Sequence, residues 1–380
     1  MQAFTDLMAQ HASYTYRASS AVSNELIAAF DKMSRRLRRE MIAQLSEMSQ
    51  RDLRDFVSGA YRLERSKALR DLINKEVAGF GSIMADTMDS TGQALAQYEA
   101  DWMMKAVTSA AAGYEAAVLS GAKIYARAMD QPVVGYLFKE TLQDVSDTTK
   151  RRVFAHLRTS MADGQTNQQI ISDLPRLFGT QTMKYKDGGL NQTRTSIERI
   201  VRTTRTHIGN ESYSATYEAL GVRRVVFRAQ LDGRTSLQCA ENDGQVFDTD
   251  KPHPSPPLHP NCRSQLAPYD EKFLVGKRPY VTVDKYDGKF RPAGKLSAKQ
   301  KLDLNYDAGQ VSAKTSYKEW FARQDAGFQK DWLGESRFKL YKEGGYSIDR
   351  FVDDLGHKYN LAELAAKDAA TFKRLGFNVK

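Results

Sequence analysis

The sequence predicts an α+β fold, predominantly helical, on three observations. Met1–Gln131 holds no proline, and its apolar residues recur at steps of three and four, the spacing of one helix face. Asn191–Leu220 carries the same periodicity and leads into Val222–Gln230, whose alternating residues read as a half-exposed strand. Five of the ten prolines fall between Pro252 and Pro260, in a turn-rich segment between short β-prone runs. Together these give a long N-terminal helical arm or bundle, a small α+β domain with a short β-sheet, and C-terminal helices.

Taken in order, Leu26, Phe30, Met33, Leu37, Met41, Leu45 and Met48 form the first apolar stripe. Ser49 with Asp52 predicts a new N-cap ahead of Leu53, Phe56 and Val57. Gly79-Phe80-Gly81 predicts a break, and Asp101–Met129 an alanine-rich helix closed by Asp130-Gln131-Pro132. This region reads either as an extended arm that packs on another subunit or as a free-standing bundle. Val145–Met161 is a helix ending at Asp163-Gly164, and Thr166 with Gln169 is a capping box for Gln168–Phe178, which Pro175 ends or kinks. Thr180–Asn191 is a basic loop. Gln245–Phe247 and Arg263–Leu266 are the second and third strands. Ser316–Gln324, Trp332–Tyr341 and Ser347–Asp354 are helices, and Leu361–Leu375 is a loosely packed closing segment. The domain reading is residues 1–131 helical, 132–270 α+β with the Cys/His/Pro-rich segment 231–268, 271–315 a basic linker, and 316–380 C-terminal helices.

A net charge of +10 and a pI near 9.3 point to an acidic partner, nucleic acid first, a membrane surface or an acidic protein otherwise. No apolar run is long enough to span a membrane, the N-terminus is not a secretory signal, and two cysteines suit a reducing cytoplasm. Arg35, Arg36, Arg38 and Arg39 crowd one short stretch that faces DNA phosphate, a negative protein wall or simply solvent; charge runs in general favour solvent. Between Glu271 and Lys301, nine Lys/Arg stand against three Asp/Glu. There Lys277, Arg278, Lys285, Lys289 and Arg291 interleave with Tyr280, Tyr286 and Phe290, a pattern suited to phosphate contact and base stacking. A solvated linker is the alternative.

The segment Leu231–Pro268 holds both cysteines and two of the six histidines, spaced Cys239-x13-His253-x5-His259-x2-Cys262. Thiolate and imidazole are zinc ligands, and the short His259–Cys262 spacing supplies two from one turn. The spacing matches no standard zinc finger. A Cys239–Cys262 disulfide and two buried thiols remain as other readings. Asp232, Arg234 and Thr235 make a corner, either a turn held by its own hydrogen bonds or an anion site, with Arg202 and Arg205 as candidate partners of Asp232 or Glu241. No phosphate loop, paired-carboxylate signature or HExxH is present, so the chain reads as a non-enzyme. The rival is an enzyme of nucleic-acid or nucleotide chemistry built from His207, Glu211, Arg234, Cys239 and His259.

One set of residues resembles a known family. Asp232, Arg234-Thr235-Ser236, Cys239, Gly244, then Pro256-Pro257-Leu258-His259-Pro260-Asn261-Cys262-Arg263-Ser264 and Pro268 are similar to the signature of the phage Mu F-like minor head (head morphogenesis) proteins of tailed phages. The resemblance continues through Arg202, Thr204 and Asn210 upstream and Trp320, Phe328-Gln329, Leu333-Gly334, Arg337 and Phe351-Val352 downstream, covering roughly Thr141 to Val352. It implies a virion protein at the capsid interior or portal vertex, with host cytoplasm as its place of assembly. The implied partners are the portal, other capsid proteins and packaged DNA, in multiple copies around the portal, and the implied role is in head morphogenesis, DNA packaging or ejection. Asp232, Arg234, Thr235 and Arg263 are then its structural motif.

Overall fold

A computed structural model describes residues 4–179, 188–270, 273, 275–282, 285–286, 289–290, 299, 308–353 and 357–377. The fold is α+β and mostly helical. The chain divides into two compact units, each assembled from separate stretches: Arg17–Ala96 with Tyr125–Ile208, and Met1–Tyr16 with Gln97–Ile124 and Gly209–Lys380. These units cross the borders drawn from sequence, because helices α1 (Phe4–Glu47), α3 (Glu64–Ala110) and α7 (Asn191–Leu220) each contribute residues to both.

The helical unit contains most of α1, α2 (Gln50–Ser58), most of α3, α5 (Phe138–Ala162), α6 (Asn167–Phe178) and the first part of α7. The stripe Leu26, Phe30, Met33, Leu37, Met41, Leu45 and Met48 is buried against Leu69, Ile73, Phe80, Val153, Leu157, Ile170 and Ile197. Each such side chain contributes about 2 kcal/mol by leaving water. The N-terminal region is therefore part of a bundle within the chain, not a free arm. The Ser49 and Thr166 capping boxes form, and Asn167 Nδ2 donates to the orphan carbonyls of Leu45 and Met48 at 2.8 and 2.7 Å. Asp31 pairs with Arg194 at 2.6 Å, and the buried Glu76 carboxylate takes Arg36.

Several expected breaks moved. The helix runs unbroken through Gly79-Phe80-Gly81, because Phe80 is buried and a Cβ on Gly81 would sit 2.9 Å from Ser146 Oγ; Gly81 gives close packing rather than a turn, and Gly79 stands in open space. The expected helix Asp101–Met129 instead ends at Ala110 and resumes as α4 (Gly121–Asp130). The chain turns at Gly113 (φ +97°), and Gly121 lies so close to Gln97 that a Cβ would be 2.6 Å from the Gln97 backbone nitrogen. Pro175 lets α6 run on to Phe178.

The mixed unit is built on β1 (Arg224–Arg228), which follows α7 after Gly221 (φ +66°). It is the centre of an antiparallel sheet between β3 (Val246–Asp248) and β4 (Gln265–Pro268). Val225, Val226 and Phe227 are all buried, so β1 is covered on both faces, not half-exposed as its alternation suggested. A second sheet escaped the sequence. There β5 (Lys277–Val281) pairs in parallel with β2 (Leu231–Asp232) and antiparallel with β6 (Ala308–Ser312), so two of its three strands lie in the stretch expected to be a linker.

Helix α8 (Leu237–Asn242) and the C-terminal helices share one core. The latter are α9 (Tyr317–Ala322), α10 (Ala326–Leu333), α11 (Glu335–Glu343), α12 (Leu361–Lys367) and α13 (Ala369–Arg374). Leu231, Leu237, Trp320, Phe321, Phe351, Leu364 and Phe372 fill that core, so the last segment is packed rather than loose. The expected helix Trp332–Tyr341 is two helices split at Gly334 (φ +76°), Ser347–Asp354 is a short 3-10 turn over Ile348–Phe351, and Asp368 divides the closing segment.

Both sheets and α9 meet at one fully buried carboxylate. Asp243 accepts Ala229 N–H at 2.7 Å and Tyr317 N–H at 2.6 Å, and its two oxygens take the Arg278 guanidinium at 2.9 and 3.1 Å. Arg278 also donates to the carbonyls of Thr315 and Ala229. Breaking a buried pair from one side leaves an uncompensated charge, so Arg278→Ala and Asp243→Ala should each cost about 3–5 kcal/mol. Trp102, Trp320 and Trp332, all the tryptophans of the chain, lie in the mixed unit, so tryptophan fluorescence during denaturant unfolding reports that unit alone. Single losses below about 1 kcal/mol, the value of an exposed pair, would refute the hub.

Candidate metal centre

Cys239 is fixed by the start of α8. Ser236 caps that helix, its hydroxyl accepting the Cys239 N–H at 3.1 Å, so the thiol is held at the third helical position. His259 and Cys262 come from the proline-rich loop, where Pro256–Pro257 is cis. The His259 carbonyl accepts the Cys262 N–H at 3.1 Å, and Asn261 takes φ +59° to close the turn, a conformation asparagine tolerates.

Cys239 Sγ lies 3.3 Å from His259 Nε2 and 3.6 Å from Cys262 Sγ. Both thiols are buried and free. Among the described residues these three form a group able to hold a metal ion. Bonds of about 2.3 Å to sulfur and about 2.1 Å to nitrogen give tetrahedral edges of about 3.8 and about 3.6 Å, so the group needs little movement to close on zinc. His259 Nδ1 donates to the Pro260 carbonyl at 2.9 Å, which leaves the Nε2 lone pair facing the sulfurs. Hydrogen bonding from Cys239 and His259 holds the Cys262 thiol well below its ordinary pKa, while that same bond and burial push Cys239 well above. Burial pulls the His259 imidazole down, but hydrogen bonding to Cys262 and its charge carry it net upward. Of the two thiols, Cys262 is thus the one that its surroundings favour as a thiolate, with the His259 imidazole beside the pair. His253, the fourth expected ligand, does not join them; its ring stands edge-on to Phe247 at 5.7 Å, and burial lowers its pKa.

The Asp232 corner is a turn. Asp232 Oδ1 accepts from Arg234 N–H at 3.0 Å and from the Thr235 hydroxyl, which also reaches the Gln230 carbonyl. The guanidinium of Arg263 grips both Asp232 oxygens, at 2.5 and 2.7 Å. Arg263 is thus the close partner of Asp232, with the Arg234 guanidinium at 3.9 Å, and Arg202 pairs with Glu198 one turn back. The Asp232–Arg263 bridge thus ties the loop of Cys262 to the corner leading into the helix of Cys239, beside the thiol contact itself. Arg234 lies over the Tyr16 ring at 5.7 Å. Of the enzyme candidates, Cys239 and His259 come together, and His207 donates to the Ala128 carbonyl at 2.9 Å.

The expected nucleic-acid set separates. Lys277 is exposed, Arg278 is buried in the hub and unavailable to phosphate, the side chains of Lys285 and Lys289 and all of Arg291 lie outside the described residues, as does most of the basic loop 180–187. Sequence reading missed Asp243, whose only signal was a preceding Asn and a following Gly that read as a turn. It also missed the role of Asn210, which exchanges hydrogen bonds with Ser264 and Leu266 of the β4 edge at 3.3 and 3.2 Å.

Burial raises the Asp232 carboxyl, but Arg263 outweighs it and the folded pKa lies below the ordinary 3.8. Its stabilisation is therefore full above that value and lost as pH falls through the folded pKa. Asp232→Asn should cost about 3 kcal/mol at pH 7, and the gap to wild type should close progressively below about pH 4 in urea titrations. A gap independent of pH would show that the charge is not what matters.

No characterised protein and no solved structure is recognisably similar to the chain. One family model does match, over residues 151–267, which carry α7, the first sheet and the whole Cys–His–Cys cluster but not the C-terminal helices that the resemblance took in. That segment is similar to the family described as Phage Mu protein F like protein.

Proposed function

We propose that the chain is a minor head protein of a tailed-phage virion, placed inside the capsid near the portal and acting in head assembly, DNA packaging or DNA ejection. The observation that carries this is the family match on the segment with the most particular local chemistry. The net charge of +10 suits surroundings of packaged DNA, and no helix described is long and apolar enough to cross a membrane. The role is structural in this reading: the corner residues Asp232, Thr235 and Arg263 are spent on one another. Co-expression with the portal protein of the same phage, followed by gradient sedimentation, should give a co-migrating complex. Free sedimentation of the chain, together with its absence from purified virions by mass spectrometry, would overturn the proposal.

Zinc is the metal that suits two cysteines and one histidine at these separations. Elemental analysis should find about one zinc per chain, lost in Cys262→Ser, with the thermal midpoint of the mixed unit falling by roughly 5–10 °C on loss of the metal. Two titratable thiols and no metal in protein purified without chelator would exclude it. With Cys239, His259 and Cys262 as its protein ligands, a bound zinc would keep a position open, as catalytic rather than closed structural sites do. That single feature favours a second reading, a hydrolase of nucleic acid or nucleotides. A turnover abolished in a folded His259→Ala variant would establish it, and its absence in metal-loaded protein would dismiss it.

A further inference from the structure

The helical unit contains a cleft of about 300 Å³ lined by Ser34, Arg35, Arg38, Arg39 and Ile42 of α1 and by Phe178 and Gly179 at the end of α6. Its composition is unusual in three respects. Ser34 is 3% exposed, yet its hydroxyl has no hydrogen-bond partner among the described residues, although a helical serine ordinarily bonds back to the preceding turn. The buried Nε of Arg38 likewise has none. Leaving such a group unsatisfied costs about 1–3 kcal/mol.

Two of the cleft's charges, those of Arg38 and Arg39, are also uncompensated among the described residues. Two carboxylates that pack on this helix are committed elsewhere, Asp31 to Arg194 and Glu76 to Arg36. Among the described residues, neither Arg38 nor Arg39 has a carboxylate in reach, and the two guanidiniums stand beside a third, Arg35. Like charges on adjacent turns repel, and the apolar walls given by Ile42 and Phe178 lower the local dielectric and strengthen that repulsion. A bound anion answers both problems, accepting from the orphan donors and neutralising the cations.

We infer that this cleft is a phosphate-binding site, in which Ser34 Oγ and Arg38 Nε donate to phosphate oxygens and Arg35 and Arg39 close over them. Several donors converging on one point suit a tetrahedral oxyanion, and the guanidinium fork matches two of its oxygens. The phosphate comes either from a nucleic-acid backbone or from a small phosphate ester. The site does not depend on the virion role, and its test reads binding alone.

The test uses the full chain with two probes: inorganic phosphate by titration calorimetry, and a fluorescein-labelled 20-base-pair duplex by anisotropy at several salt concentrations. Phosphate should bind saturably at low salt. Arg38→Ala/Arg39→Ala should weaken it at least tenfold. Ser34→Ala should weaken it several-fold without lowering the thermal midpoint, since the lost hydroxyl had no partner inside the fold. Lys32→Ala, an exposed cation on the same helix outside the cleft, should stay within twofold. Duplex binding that phosphate displaces, with a salt slope reduced by about 1–2 in the double variant, identifies backbone phosphate; phosphate binding without duplex binding identifies a small ester. No saturable phosphate binding, an equal loss in Lys32→Ala, or binding of polyglutamate in place of phosphate would overturn the inference.

Discussion

The mixed unit depends on the Asp243–Arg278 pair. Two three-stranded sheets with no strand in common are joined through it, since Asp243 follows α8, Arg278 lies on β5, Ala229 ends β1 and Tyr317 begins α9. Neither sheet is large enough to be stable alone. A carboxylate with no exposed side-chain surface is tolerable only because all its acceptor capacity is met: a guanidinium and two backbone amides, one of them at a helix N-terminus where negative charge is favoured. A hydrophobic pair of similar volume would pack there but would not fix the register of four elements. The polar pair does so through direction as much as energy.

The same logic explains why the central motif has the parts it has. The corner that begins at Asp232 and the turn of His259 to Ser264 are separated in sequence but cross-braced twice, by Asp232 with Arg263 and by Cys239 with Cys262 and His259. Arg263 is the neighbour of Cys262, and Thr235 is the neighbour of the cap of Cys239's helix. The salt bridge therefore positions the backbone on both sides of the thiols. The three donors are thus preformed, and most of the ordering cost of their loop has been met by prolines and by a bidentate ion pair.

What the sequence made legible was what depends on neighbours along the chain. The stripe Leu26–Met48, the caps at Ser49, Thr166 and Ser316, the strands around Val225 and the turn joining His259 to Cys262 all follow from local spacing or local hydrogen bonds. What stayed hidden depends on partners far away. Gly79 and Gly81 look like a break, yet one neighbour of Gly81 is Ser146. Val222–Gln230 looks half-exposed because its polar residues alternate, yet both faces of its central residues are covered. Lys277–Val281 looks like linker because its charge is visible and its partners, Leu231–Asp232 and Ala308–Ser312, are not. Three of the four expected ligands, Cys239, His259 and Cys262, come together in a group able to hold a metal ion; His253 was included because spacing alone does not tell an imidazole beside a phenyl ring from one beside a sulfur.

Arginine shows the limit most clearly. The chain owes its charge to Lys and Arg, and counting them points to an acidic partner. Yet Arg194, Arg263 and Arg278 are internal fasteners, each with an aspartate, and contribute nothing to the field that a nucleic acid would feel at short range. The informative arginines are those whose carboxylates are missing. In the run Arg35–Arg39 the four side chains do not share one fate: Arg36 is neutralised by a buried glutamate, while Arg38 and Arg39 face a cleft with an idle serine hydroxyl. Net charge therefore says that an anion is wanted somewhere, and only the ledger of pairs says where.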